Sequence, residues 1–213
     1  MSYNLEKILD AIRIEGKSII PGFDYDIDLL RVYTILAMYF FQDPRFEEIS
    51  TNYSLRKGLL IRGNPGVGKA ICLKVLEKFL RKIKHPDRFT FHPTTDIIQE
   101  FRIEGEKALL KHGMNSFKKN PTTGIFEFNQ PLIRCYDDLG LESKQIKYYG
   151  TERNIMSEIL FKRNDLFISK GMKTIVTTNY LPEEFSKYYD YRIRGRMREM
   201  FNDIIFEGPD RRS

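Results

Sequence analysis

The residues best suited to chemistry form one run, Gly63-Asn64-Pro65-Gly66-Val67-Gly68-Lys69-Ala70. Its spacing is that of a phosphate-binding loop, Gly-x-x-x-x-Gly-Lys-Ser/Thr, at every position except the last. Gly66 and Gly68 allow backbone dihedrals that a side chain forbids, so successive N–H groups can turn inward around an anion. A helix opening at Lys69 would add its positive end, and the Lys69 ammonium a point charge for the outer phosphates. Ile71 closes the set of expected nucleotide-binding positions, Gly63 to Ile71. Ala70 stands where a hydroxyl normally ligates magnesium, so weak metal binding and slow or absent hydrolysis are expected. A chance glycine-rich turn is the bland alternative. The loop's place between apolar Leu59-Leu60-Ile61 and the amphipathic stretch Ile71-Cys72-Leu73-Lys74-Val75-Leu76 argues against it.

Asp137 and Asp138 close another apolar run, Leu132-Ile133-Arg134-Cys135-Tyr136. A buried strand that delivers carboxylates at its end can hold magnesium and polarise water beside a phosphate loop. Asp137 is assigned to the metal, directly or through water, and Asp138 to orienting an attacking water; a helix cap or turn is the alternative for such a pair. Asn179 follows Thr174-Ile175-Val176-Thr177-Thr178, where a neutral amide could hydrogen-bond the water and the γ-phosphate. In Tyr191-Arg192-Ile193-Arg194-Gly195-Arg196-Met197-Arg198, helical spacing puts Arg192 and Arg196 on one face and Arg194 and Arg198 on another. Ile193, Met197 and Met200 form the anchoring stripe. Arginine suits transition-state phosphate charge, being always ionised with a planar fork of donors; a solvated basic face is the alternative.

Two helices should open the chain, one within residues 1–20 and one from Asp28 to Phe41, separated by Pro21-Gly22. Ile19, Ile20 and Phe23 could line a base pocket, although core packing explains them more simply. From residue 58 strands and helices alternate. Strands are expected at 59–62, 89–91, 132–136, 174–178 and 204–206. Helices are expected from Lys69 to Ile83, from Thr94 through Phe101 towards Lys111, from Thr151 to Asn164, at Pro182–Tyr188 and at Tyr191–Phe201. Residues 112–124 read as a polar, basic loop. Such alternation gives an α/β fold with a largely parallel sheet covered on both faces and ligands at the carboxyl ends of its strands.

With these motifs in this order and at these spacings, residues 50–208 resemble an AAA+ ATPase of the DnaC/IstB branch, the bacterial helicase loaders and transposition helper ATPases. Asp137-Asp138-Leu139-Gly140 and Arg192-Ile193-x-x-Arg196-Met197 narrow the match more than the phosphate loop does. The resemblance implies a P-loop NTPase sheet of five strands in order 5-1-4-3-2, ATP or ADP with Mg2+ as ligands, and a site completed by a neighbouring subunit. It makes Lys69 the Walker A lysine, Asp137-Asp138 the Walker B pair and Asn179 sensor 1. Arg192 resembles an arginine finger reaching into the adjacent protomer, and Arg196 resembles sensor 2. It also implies a homo-oligomer acting on single- or double-stranded DNA through backbone contacts, with a replicative helicase or a transposase as partner.

The 213 residues suit a helical N-terminal extension (1–50) and one core (51–213), with no separate helical lid after Glu207-Gly208-Pro209. A charge of 35 − 29 = +6 is compatible with an acidic partner, with the 112–120 segment and Arg194/Arg198 as the expected phosphodiester contacts. Cys72 and Cys135 lie in apolar segments and read as reduced core thiols of a cytoplasmic protein, and no apolar run has membrane-spanning length. Two other functions stay open: a non-hydrolysing nucleotide-binding adaptor, which Ala70 favours, and a small-molecule P-loop kinase.

Overall fold

The protein was analysed as a computed structural model that describes residues 4–141, 146–148, 151–181, 183–184, 189 and 191–212. Five apolar segments become the strands of one sheet: β1 (Gly58–Arg62), β2 (Phe89–Pro93), β5 (Ile133–Leu139), β8 (Thr174–Thr178) and β9 (Phe201–Ile205). They are hydrogen-bonded in the order β2-β5-β8-β1-β9, and every pairing is parallel. Counted along the chain as first to fifth, they stand 5-1-4-3-2. Two small antiparallel pairs lie outside this sheet, β3 (Phe117–Lys119) with β4 (Phe126–Pro131) and β6 (Ile146–Tyr148) with β7 (Thr151–Arg153). The three central strands, β5, β8 and β1, are buried on both faces along most of their length and so need few polar side chains, whereas the edge strands β2 and β9 are interrupted by polar residues.

The two faces carry different helices. Leu59, Ile61, Cys135, Ile175 and Ile204 meet α1 (Leu5–Lys17), α2 (Ile27–Phe40), α3 (Arg45–Glu48) and α4 (Lys69–Lys82) in one core. Leu60, Tyr136, Val176 and Phe201 meet α5 (Thr94–Glu104), α7 (Ile155–Lys170) and α8 (Tyr191–Met200) in the other. The N-terminal helices therefore share a core with the sheet, and Phe23 packs there against Tyr33, with ring centroids 6.1 Å apart. Each fully buried Leu or Ile contributes roughly 1.5–3 kcal/mol. Cys72 and Cys135 are both buried thiols. Among the described residues no helix is long and apolar enough to cross a membrane.

Helix ends follow local capping. Asp26 Oδ1 accepts the Leu29 N–H at 2.8 Å and opens α2. Asn154 Oδ1 accepts the Ser157 N–H at 2.9 Å, so α7 begins at Ile155, and Thr151–Arg153, expected as its first turn, pair as strand β7 instead. Between them α5 and α6 (Glu106–His112) are divided at Gly105, whose φ is 59°. The loop expected over 112–124 holds β3, and a further strand, β4, follows it. Glu183 and Glu184 are helical, but the rest of the helix expected at Pro182–Tyr188 lies outside the described residues.

Candidate functional site

The carboxyl ends of β1, β8 and β5, three neighbours in the sheet, bring the sequence motifs together. The phosphate loop leaves β1. Gly66 and Gly68 take φ of 85° and 100°, the left-handed region in which glycine costs little, and Gly68 caps α4 so that the helix opens at Lys69. Lys69 is buried. Its Nζ donates to Gly63 O at 2.7 Å, to Asn64 O at 3.0 Å and to Asn179 Oδ1 at 2.6 Å. Burial lowers the pKa of the Lys69 ammonium, and the nearby Asp138 and Asp137 act in the opposite sense. Gly63 N–H donates to Thr178 O at 3.3 Å, which ties the loop's first residue to the strand that delivers Asn179.

β5 reaches further than expected, to Leu139, and its two acids sit on a β-bulge. Tyr136 faces Val176 and Leu139 faces Thr178, so three steps on β5 span two on β8. Bulges re-aim side chains at the ends of strands, and this one coincides with Asp137 and Asp138. Asp138 takes φ 57°, held there because its N–H donates to Thr177 Oγ1 at 2.9 Å and its carbonyl accepts from Thr94 Oγ1 at 3.0 Å. The same Thr177 hydroxyl donates to Asp137 Oδ1 at 2.6 Å. Thr177 was read only as part of a strand; it is the group that fixes both acids. Downstream, Gly140 has φ 106°, and a Cβ there would overlap the Tyr180 ring, whose hydroxyl donates to Gly140 O at 3.0 Å.

Burial raises the pKa of Asp137; the Thr177 hydrogen bond lowers it and the Asp138 charge raises it. A carboxyl whose folded pKa lies above its unfolded value stabilises the fold below pH 3.8, and that contribution is lost as pH rises through the folded pKa. At neutral pH the Asp137 carboxylate is therefore a net cost. Asp137→Asn keeps an oxygen for Thr177 and carries no charge. It is expected to melt higher than the wild type at pH 7, with an advantage that shrinks to nothing as pH falls to about 3.5. Each kcal/mol gained corresponds to about 2–4 °C in Tm for a chain of this size. A thermal melt series from pH 3.5 to 8 measures this, and a gain that does not vary with pH would contradict the assignment.

No family model matches the sequence, and no curated protein matches it. Three-dimensional comparison is informative. The chain has the fold of the DnaC helicase loader. That structure aligns over 87% of this chain and 93% of its own, with a TM-score of 0.54 and 19% identity. A putative primosome component from Streptococcus pyogenes serotype M3 aligns over 95% and 98%, with a TM-score of 0.57 and 16% identity. AMPPCP-bound DnaA from Aquifex aeolicus aligns over 89% of this chain and 50% of its own, with a TM-score of 0.52 and 15% identity. The five-stranded parallel sheet in order 5-1-4-3-2 that the resemblance implies is thus the one observed.

On this DnaC fold the arginines take varied positions. Arg192 is in the first turn of α8, and its side chain lies outside the described residues. Arg196, expected beside the phosphates, has its contacts on α7: Nη1 donates to Asp165 Oδ1 at 3.1 Å and to Phe161 O at 3.2 Å, with the guanidinium 4.7 Å from the Phe161 ring centre. Arg194 and Arg198 line a cavity at the β9 edge of the sheet together with Glu183 and Asp203, so the charge there is mixed.

One feature of the site had no signal in the sequence. Residues 207–212 fold back over the phosphate loop. Arg211 N–H donates to Gly66 O at 2.8 Å, Arg211 Nη1 donates to Val67 O at 2.5 Å, and Arg211 Nη2 pairs with Asp26 at 2.6 Å. A Cβ on Gly66 would meet the exposed Asp210 carboxylate, which can swing aside, so glycine is needed there for its φ of 85°.

The donor set fits a nucleotide. A glycine-shaped cradle, a helix N-terminus and the Lys69 ammonium converge where outer phosphates would lie, and Asp137, held by Thr177 at the end of β5, is the carboxylate that would hold Mg2+ directly or through water. Ala70 offers no hydroxyl to the metal, so a water must take that ligand position.

Proposed function

We propose that this chain is an AAA+ nucleotide-binding protein that acts as a DnaC-like helicase loader or IstB-like helper. It assembles on DNA in a nucleotide-dependent oligomer. The observation that carries the reading is the 2.6 Å bond from Lys69 Nζ to Asn179 Oδ1, which joins a residue of the phosphate loop to one 110 positions away at the end of β8. Thr177, two residues before Asn179, adds Asp137 and Asp138 to the same constellation. Lys69 meets the phosphates, Asp137 holds magnesium, Asp138 and Asn179 position water against the γ-phosphate, and Arg192 serves the neighbouring protomer's site while Arg196 serves its own. Arg196 would have to exchange Asp165 for phosphate to do so. Magnesium supplies charge neutralisation of the β- and γ-phosphates. Similarity to a DnaC helicase loader, a putative primosome component and AMPPCP-bound DnaA supports a role near a replicative helicase, with a transposase as the counterpart for a helper.

The test is nucleotide-dependent size measurement of the wild type and Arg192→Ala. Assembly that is lost in Arg192→Ala, with shared-site activity recovered on mixing it with a Lys69→Ala chain, is the expected result. Assembly indifferent to Arg192 would sink the two-protomer site.

Ala70 supports a second reading, a non-hydrolysing adaptor in which nucleotide stabilises a surface. The loader reading expects Ala70→Thr to raise steady-state ATP turnover at least about tenfold, since a restored ligand tightens the metal on the triphosphate. If neither chain turns over ATP with DNA and oligomer present, the adaptor reading replaces it.

A further inference from the structure

At the end of the sheet opposite the phosphate loop, α6 and the β3–β4 hairpin enclose a groove of about 710 Å3. Its charged lining is Lys107, Lys111, Lys118, Lys119 and Arg134, and no described carboxylate lines it. Arg134 is the second residue of β5, whereas Asp137 and Asp138 are near its far end, so the groove and the nucleotide site lie towards opposite ends of the sheet's strands. The floor is cationic too. Arg134 Nε and Arg163 Nη1 both donate to the Ser116 hydroxyl, at 2.8 and 2.9 Å, and Arg163 is fully buried. His92 and His112 beside them are held neutral, their pKa values lowered by burial, and by the Arg134 charge, to about 4 and about 3. The nearby carboxylate, Glu100, is engaged by Lys111 at 2.8 Å and His112 at 3.2 Å. On the hairpin Glu127 faces Lys118 across the strands and accepts from Gln130 at 2.6 Å, so five lining cations stand against two nearby carboxylates and the balance is positive.

The hairpin adds flat apolar surface to this charge. Phe126 and Phe128, two residues apart on β4, share one face of the strand with ring centroids 6.3 Å apart. Phe128 is 54% exposed, although its edge meets Phe117. The Lys119 ammonium sits 4.7 Å from the Phe126 ring centre. Accessible aromatic faces beside lysines suit a chain of phosphates whose bases are free to stack. A duplex hides its base faces, so it could use the lysines but not the rings.

We infer that the groove between α6 and the β3–β4 hairpin binds single-stranded nucleic acid, with phosphates on Lys107, Lys111, Lys118 and Lys119 and bases stacked on Phe126 and Phe128. This deepens the DNA-directed part of the proposed function and does not depend on the nucleotide site.

Fluorescence anisotropy of the full chain with a labelled 20-nucleotide oligo-dT at several salt concentrations tests it. Oligo-rU, an abasic strand and a duplex of equal length serve as comparisons. Lys118→Gln/Lys119→Gln is expected to bind oligo-dT at least tenfold more weakly and to flatten the log–log salt slope by about 1.4, the loss of two single-strand phosphate contacts. Phe126→Ala should lose roughly 5- to 150-fold on oligo-dT, the range for one stacked base, while binding the abasic strand as the wild type does. Phe128→Ala, which removes a ring that is 54% exposed, repeats the measurement should Phe126→Ala melt early. A preference for oligo-rU with the same dependence on the rings also supports the inference. Variants that bind like the wild type, or a duplex bound as tightly as the single strand, would overturn it; so would a Phe effect that persists on the abasic strand. Calorimetry with ATP on the same chains separates the two readings. Strand binding without heat from ATP removes the proposed function and leaves the groove, and ATP binding with no strand binding does the reverse.

Discussion

Lys69→Ala is expected to weaken ATP binding at least about 100-fold and to erase the rise in Tm that saturating nucleotide gives the wild type. The side chain is 6% exposed, and its ammonium holds two loop carbonyls and the Asn179 amide within 3.0 Å. Alanine removes the charge that meets the outer phosphates. It also releases Asn179 from the loop, so two of the groups assigned to the triphosphate are lost by one substitution. A ligand at 100 times its Kd stabilises by about 2.7 kcal/mol, which for a chain of this length is about 5–10 °C in Tm. That shift should vanish in Lys69→Ala and return only in part with Lys69→Arg, whose fork cannot occupy the same buried pocket. Without nucleotide the alanine variant should melt within a few degrees of the wild type, because dehydration of the ammonium offsets its hydrogen bonds to neutral acceptors. Isothermal calorimetry gives the affinity and scanning fluorimetry the shift. Equal heats from the two chains would remove Lys69 from the site.

The parts of this molecule that were legible from sequence are those in which residue type alone decides the structure. Leu59-Leu60-Ile61 and Thr174–Thr178 are buried on both faces, and uninterrupted apolar or β-branched residues have few other uses, whereas the edge strand β2 buries Phe89 and exposes Thr90. The phosphate loop was legible because Gly66 and Gly68 are needed for their dihedrals wherever the chain goes next. β9 begins three residues before its expected start and ends one before its expected end, and the reason for the earlier start is Asn202. Its Nδ2 donates to Gly58 O at 3.0 Å and Ser54 O at 2.9 Å, and its Oδ1 accepts from Ser54 N–H at 2.7 Å. A buried amide that serves a distant loop looks, in sequence, like a turn. β3 falls inside the stretch expected as loop, 112–124, and β4 carries no expectation, because Lys118, Lys119, Asn120, Asn129 and Gln130 give the hairpin little apolar alternation, while cross-strand pairs and Phe117 hold it. At the site, the order of Lys69, Asp137 and Asn179 pointed to one constellation. Thr177 as the anchor of both acids, the turn of residues 207–212 onto the loop and Arg196 on Asp165 depend on which side chains meet across the fold, and spacing along the chain carries no record of that.

Arg163→Met should lower stability by at least about 3 kcal/mol, a large fraction of the 5–15 kcal/mol typical of a whole domain. Arg163 is fully buried on α7, and the five acceptors it serves are all neutral: Thr174 Oγ1 at 2.7 Å, Ser116 Oγ and Lys173 O at 2.9 Å, His112 O at 3.0 Å and Leu132 O at 3.1 Å. They belong to the end of α6, the approach to the hairpin and the starts of β5 and β8, so one guanidinium reinforces a junction that also holds the β5–β8 pairing and the Leu132 N–H bond to Ser116 O at 2.9 Å. Burial lowers its pKa, the signature of a charge kept away from water at a cost. Two effects therefore oppose each other on substitution. Methionine relieves the dehydration of a cation, which alone would stabilise the fold. It also leaves Leu132 O, Lys173 O and Thr174 Oγ1 without their charged donor, at about 1–3 kcal/mol for each acceptor left unpaired. The second effect should win because several acceptors are stranded by a single change, whereas only one ion is relieved. Tm is expected to fall by about 6–12 °C, with Arg163→Lys intermediate since an ammonium has three donors for five acceptors. Amide exchange should quicken first in the segment from 112 to 119, which Arg163 anchors, ahead of β1 and β8 in the core. A methionine variant as stable as the wild type would mean that the dehydration cost had cancelled all five bonds, and would recast Arg163 as retained for the charge it places beneath the basic groove.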